Sequence, residues 1–211
     1  MAEFRVEVPD GDEVATALLL ALARRARVEP VERGRGTALV LGGARSGKSS
    51  WAEGQFGDRP LVDYVATSLV PDDDPEWQDR VALHRARRPA GWRTIETLNI
   101  ADVLRSDDEA PVLVDCLALW LARMLDDVDA WQADEQVWRR PLAERVDELV
   151  DAVAHTGREV ILVSNEVGSG VVPATVSGRL YRDELGRLNA RVAAAADELW
   201  LCVGGIARRW R

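Results

Sequence analysis

The sequence predicts an α/β protein with a mainly parallel sheet flanked by helices, and three observations carry that expectation. Short continuous apolar runs recur along the chain, longer amphipathic stretches separate them, and one glycine-rich turn joins the first run to the first helix. Unbroken aliphatic runs are the mark of strands buried on both faces, and helices between successive runs supply the crossovers that parallel pairing needs.

In chain order, residues 1–36 read as an N-terminal extension and connector. Phe4, Val6 and Val8 alternate, an Ala/Leu-rich helical stretch runs from Asp12 to Arg27, and Glu29 to Gly36 forms a polar link with Pro30, Gly34 and Gly36. A single domain is expected over 37–211. It opens with a strand, Thr37 to Leu41, then the glycine-rich turn, then a helix from Ser49 to Gln55. Further buried strands are expected at Leu61 to Thr67, Pro111 to Cys116, Glu159 to Ser164 and Glu198 to Val203. Two long helices fill the second half. Asp134 to His155 places Val137, Leu142, Val146, Leu149, Val150 and Val153 at helical spacing, and Ser177 to Ala196 does so with Leu180, Leu188, Val192 and Ala195. Asp72 to Pro75 and Ser106 to Pro111 are surface loops by composition.

A length of 211 residues suits one α/β domain, and a formal net charge of −9 argues against nucleic acid or an anionic membrane as a partner. No apolar run approaches the roughly 20 residues of a membrane span, and the start lacks the basic and then apolar order of a signal peptide, so a cytoplasmic location is expected. Cys116 and Cys202 lie in apolar runs without metal-ligand spacing, which points to buried thiols and no zinc site.

The chemistry begins at the turn. Gly42-Gly43-Ala44-Arg45-Ser46-Gly47-Lys48-Ser49 satisfies G-x-x-x-x-G-K-[ST], the pattern of a phosphate-binding P-loop, and the strand before and helix after it supply the required context. The fold class is therefore of the P-loop NTPase type. Lys48 is the only lysine beside 26 arginines (27 basic residues less one), so a compact ammonium is retained where a planar guanidinium is too wide. The loop residues are expected to hold GTP or ATP, with the Ser49 hydroxyl a ligand for Mg²⁺. Arg45 is open to two roles, a second charge on the polyphosphate or an ordinary solvated side chain. Asp115, at the end of an apolar run, occupies the Walker B position for Mg²⁺ but equally suits a cap for the next helix.

Two other clusters stand out. A helix starting near Pro75 would align Glu76, Arg80 and His84 on one stripe, with Arg85, Arg87 and Arg88 at its end. Neighbouring guanidiniums favour a neutral imidazole, the form that attacks phosphate, although a basic surface helix would look the same. His155 suits a helix C-terminus instead. Ser164 to Pro173 follows a buried strand and offers Asn165, Glu166, Gly168 and Gly170 at its carboxyl end, a placement common for ligand loops and also compatible with a plain connection. Eight tryptophans accompany two phenylalanines, and Trp120, Trp131 and Trp138 fall around one helix pair as core, subunit contact or ligand platform.

Taken together, LVLGGARSGKS, YVATS at Tyr64 to Ser68, His84 with Arg88-Pro89 and Trp92-Arg93-Thr94, VDCLALWL, NEVGSGVVP and RDELGRLNARVAAAADELWLCVGGI resemble the bifunctional adenosylcobinamide kinase / adenosylcobinamide-phosphate guanylyltransferase family of cobalamin assembly. The resemblance runs from Thr37 nearly to the C-terminus. It implies phosphorylation of adenosylcobinamide by a nucleotide, then transfer of GMP from GTP to adenosylcobinamide phosphate through a phosphoramidate on His84. Catalytic roles fall on His84, Lys48 and Asp115. Nucleotide contacts fall on Gly42 to Ser49 with Glu96, Asn165 and Glu166, metal ligation falls on Ser49 and Asp115, and a homotrimer is implied. Ala118, Arg123 and Ser50 depart from the family pattern of Ser or Thr, Asn, and often Arg. A P-loop kinase of another small hydroxyl substrate, or a non-catalytic GTP-binding regulator, are the competing readings.

Overall fold

The computed structural model describes residues 36–57, 59–67 and 88–211. The expected extension over 1–36, apart from Gly36, the expected loop Asp72 to Pro75, and the stripe of Glu76, Arg80 and His84 with Arg85 and Arg87 lie outside these residues. Among those described, seven strands form one sheet in the order β3-β2-β4-β5-β1-β6-β7. The strands are β1 (Thr37–Gly42), β2 (Asp63–Ala66), β3 (Arg93–Glu96), β4 (Val112–Asp115), β5 (Val160–Asn165), β6 (Glu198–Val203) and β7 (Ile206–Arg209). The helices are α1 (Lys48–Gln55), α2 (Ile100–Arg105), α3 (Leu117–Asp127), α4 (Glu135–His155) and α5 (Val176–Ala195). All pairings are parallel except β6 with β7.

The central strands are the aliphatic runs. Ala38 to Val40, Val112 to Val114 and Val160 to Val163 are fully buried, as strands covered on both faces must be. The helix α1 packs across β1, β4, β5 and β6, while α4 packs on α2, α3 and α5. Trp120 and Trp138, 3% and 2% exposed, belong to this core, and Trp131 is half-buried with its Nε1 donating to Asp126 Oδ1 at 2.6 Å.

The expected strands and long helices all form, with ends shifted by one or two residues. Three elements were not anticipated. β3 (RTIE) and β7 (IARR) are edge strands whose side chains are mostly exposed, so neither carries an apolar run, and α2 spans six residues, too few to show a helical period.

A second unanticipated feature locks the amino ends of the strands. The Arg158 guanidinium, only 4% exposed, donates to Asp63 Oδ2 at 2.6 Å, to the carbonyls of Ala110 and Val103, and to Ser106 Oγ. Arg93 pairs with the same Asp63 at 2.6 Å and with Asp108 at 2.5 Å. One buried carboxylate thus joins β2, β3, the α2–β4 loop and the start of β5.

Candidate functional site: a phosphate loop at the carboxyl edge of the sheet

Parallel register brings the predicted residues to one edge. Gly42, the last residue of β1, pairs with Asn165 of β5 and with Cys202 of β6. Three strands from β1, Ala66 of β2 lies between Asp115 of β4 and Glu96 of β3, so both carboxylates end their strands on the same side as the phosphate loop. This is the edge where doubly wound sheets bind ligands.

The loop is held by close backbone packing. A Cβ on Gly42 would stand 2.4 Å from Ser46 Oγ and 2.6 Å from the Cys202 carbonyl oxygen, which excludes any side chain there. Gly47 caps α1 in the left-handed region at φ 92°, and a Cβ on it would meet Gly205 Cα at 2.9 Å. Gly205 N donates to the Ser46 carbonyl at 2.8 Å and the Cys202 thiol to the same oxygen at 3.1 Å, so the β6–β7 turn forms one wall of the loop. Glu166 N donates to the Gly42 carbonyl at 3.0 Å and ties down the other side.

Lys48 is 9% exposed and its Nζ donates to the Gly43 carbonyl at 3.1 Å, so the ammonium folds over its own loop. Ser46 Oγ is buried with no partner among the described residues, a polar atom of the kind a bound phosphate would satisfy. Arg45 is exposed, with its backbone left-handed at φ 56°. Ser49 sits half-buried in the first turn of α1.

Asp115 does not cap α3. The cap position is Cys116, which makes no side-chain capping bond, and Asp115 Oδ2 instead accepts the Tyr64 hydroxyl at 3.1 Å. Burial first, then the negative Asp115, holds the Tyr64 phenol far above its ordinary pKa, so it stays a donor. The Arg88 guanidinium lies 3.6 Å above the same ring. Burial and the adjacent Asp115 push the Cys116 thiol up to about 11, with Lys48 acting in the opposite sense, which places Cys116 within electrostatic reach of both. Thr67 accepts from Cys116 N at 3.1 Å and donates to the Cys116 carbonyl at 2.8 Å, bracing the strand end that carries Asp115.

The third cluster is built around its own loop. Glu166 Oε1 accepts from Gly168 N at 2.6 Å and Ser169 N at 3.1 Å. Below it, buried Asn189 of α5 donates to the Asn165 carbonyl at 2.9 Å and accepts from Ser164 Oγ at 2.7 Å. Tyr64 and Asn189 enter the sequence reading only as letters of YVATS and RDELGRLNARV, with no local signal of either contact. His155 Nδ1 lies 2.9 Å from the Asp151 carbonyl oxygen in the last turn of α4, the helix-end role expected of it. A cavity of about 900 Å³ opens at the amino ends of the strands beside Thr37, Arg59 and Glu159, the opposite edge from the phosphate loop.

A strand, a glycine-bound loop with a buried lysine at a helix N-terminus, and an acidic residue ending a nearby strand define a P-loop nucleotide-binding protein. An ATPase of the type III secretion system of pathogenic bacteria shares this fold with a TM-score of 0.50 over 79% of this chain and 50% of that one, at 12% identity. The chain belongs to the cobinamide kinase / cobinamide phosphate guanyltransferase family, whose model matches residues 38–209. It is 42% identical over 177 residues to the bifunctional adenosylcobalamin biosynthesis protein CobU of Salmonella typhimurium, covering 80% of this chain and 96% of that protein. With CobP of Pseudomonas aeruginosa it shares 45% identity over 172 residues, 80% and 93% of the two chains. It is accordingly an enzyme of this kinase and guanylyltransferase type. Among the described residues no helix is long and apolar enough to cross a membrane.

Proposed function

We propose that the enzyme phosphorylates the side-chain hydroxyl of adenosylcobinamide and then joins GMP from GTP to that phosphate, using His84 as the intermediate acceptor. The observation that carries this reading is a complete phosphate loop with its one lysine buried over it, in a chain of this family. In the kinase step the substrate hydroxyl oxygen attacks the γ-phosphorus, the bond to the β-phosphate oxygen breaks, the nucleoside diphosphate leaves, and the hydroxyl proton is released to water. In the guanylyl step an imidazole nitrogen of His84 attacks the α-phosphorus of GTP and pyrophosphate leaves. A phosphate oxygen of adenosylcobinamide phosphate then attacks the same phosphorus, the P–N bond breaks, and the diphosphate of adenosylcobinamide-GDP results.

Lys48 and the loop N–H groups meet the negative charge that gathers on the transferring and leaving oxygens. The Ser49 hydroxyl and Asp115 carboxylate are hard oxygen donors of the kind Mg²⁺ takes beside phosphate oxygens, and they are the residues that would hold it. When bound, Mg²⁺ offsets polyphosphate charge. Asn165, Glu166 and Glu96 are proposed nucleotide contacts at the same edge, and Arg88, with Arg80 and Arg85, is proposed to steady the phosphate. A cytoplasmic homotrimer completes the reading.

The test is α-labelled GTP followed by denaturing electrophoresis. The native protein should carry label that is released by acid and survives base, as a phosphoramidate does, and His84→Ala should carry none while His155→Ala labels normally. Acid-stable label would point to an oxygen or lysine adduct and refute the histidine. Nucleotide binding without pyrophosphate release on adding corrinoid phosphate would favour a regulator, and phosphorylation without any adduct would favour a kinase alone.

A further inference from the structure

We infer that Tyr64 is a positioning residue: its hydroxyl fixes the Asp115 carboxylate for the metal, and its ring seats Arg88 at the same edge of the sheet. The inference rests on the reading of Asp115 as the metal-binding carboxylate and extends it by one shell.

The geometry makes two separate demands on one side chain. Tyr64 is the second residue of β2, aligned with Leu113 of β4, and Asp115 lies two residues further along that neighbour. Its ring is buried at 6% exposure, so a phenylalanine would fill the space as well. What phenylalanine lacks is the hydroxyl, which donates to Asp115 Oδ2 at 3.1 Å. That bond restrains rotation of the carboxylate about its Cβ–Cγ bond, and outer-shell bonds of this type orient metal ligands elsewhere. The second demand is on the ring face. The Arg88 guanidinium lies 3.6 Å above the centroid and reaches Thr94 Oγ1 at 3.4 Å, so it is stacked rather than loose. A lysine could not copy this, because an ammonium has no plane to lay on the ring. Through Tyr64 the cation and the carboxylate take their positions from one side chain.

The experiment is a Mn²⁺ titration, read by electron paramagnetic resonance, of the full-length protein saturated with a non-hydrolysable GTP analogue. Tyr64→Phe should weaken Mn²⁺ binding about tenfold, the scale of outer-shell losses. Asp115→Asn should weaken it at least as much, and the double variant should be no weaker than Asp115→Asn alone, because the tyrosine acts through that carboxylate. Native affinity in Tyr64→Phe beside a weakened Asp115→Asn would overturn the role of Tyr64. Additive losses would overturn its action through Asp115. Unchanged affinity in Asp115→Asn would instead remove the metal reading on which the inference stands. Arg88→Lys should weaken binding of the analogue roughly fivefold, in line with one lost cation–π contact. Native analogue binding in that variant would overturn the seating of Arg88.

Discussion

Arg158→Leu isolates the lock at the amino ends of the strands. The wild-type guanidinium is buried and donates to Asp63, Ala110, Val103 and Ser106, so leucine removes one charge of a buried pair and the donors of two carbonyls. Breaking a buried pair from one side costs about 3–5 kcal/mol, and the lower end applies because Arg93 still contacts Asp63. Each carbonyl left dry adds about 1 kcal/mol or more, partly recovered where water reaches the Ser106 loop. A working total of about 4 kcal/mol, at the ~2–4 °C per kcal/mol of a domain this size, lowers Tm by about 8–16 °C. Circular dichroism melts of the full-length protein measure this, with urea unfolding at 25 °C as the check against irreversibility. Arg158→Lys should recover part of the loss, because it keeps the charge but not the fork. GTP affinity at low temperature should be native in both, since the network and the phosphate loop lie at opposite ends of the strands. A Tm loss under about 3 °C for Arg158→Leu would show that Arg93 alone satisfies Asp63 and that the Arg158 bonds contribute little.

Lys48→Ala should cost about 2–4 kcal/mol of transition-state stabilisation in both reactions, and Lys48→Arg should restore little; steady-state turnover of GTP measures both, and near-native turnover in Lys48→Arg would contradict the argument from ammonium size. The Cys116 thiol, raised from 9.0 to about 11, keeps its proton in the folded protein while the unfolded chain releases it. Stability should therefore fall as pH rises from 9 to 11, and Cys116→Ala should flatten that part of the profile, as urea midpoints at each pH would register. Light scattering at micromolar concentration should give a mass near three chains. A monomer would leave exposed Val171, Val176 and Ile206 without a subunit contact to account for them.

Much of this architecture is legible locally. The phosphate loop identifies itself because its function needs two glycines and one lysine at fixed spacing, and β1, β4 and β5 announce themselves because double burial demands unbroken aliphatic runs. β3 and β7 are different. An edge strand takes its hydrogen bonds from one neighbour and its side chains from solvent, so Arg93-Thr94-Ile95-Glu96 carries no burial pattern to read. The Asp63–Arg158 pair spans 95 positions, and nothing near either residue names its partner. Tyr64 was visible only as one letter of YVATS, since the bond from its hydroxyl to Asp115 depends on strand order, which emerges from the whole sheet.

The placement of Gly205 against the phosphate loop has a consequence for how the site comes into being. Residues 42–49 are made early, yet the oxygen of Ser46 finds its donors in Cys202 and Gly205, and the first loop glycine packs on the Cys202 carbonyl. During synthesis the loop exists for most of the chain's growth with one side open, and it acquires its second wall only when the turn between β6 and β7 has left the ribosome. A truncation that removes β6 and β7 would take away one wall of the loop while leaving every residue of its signature motif intact.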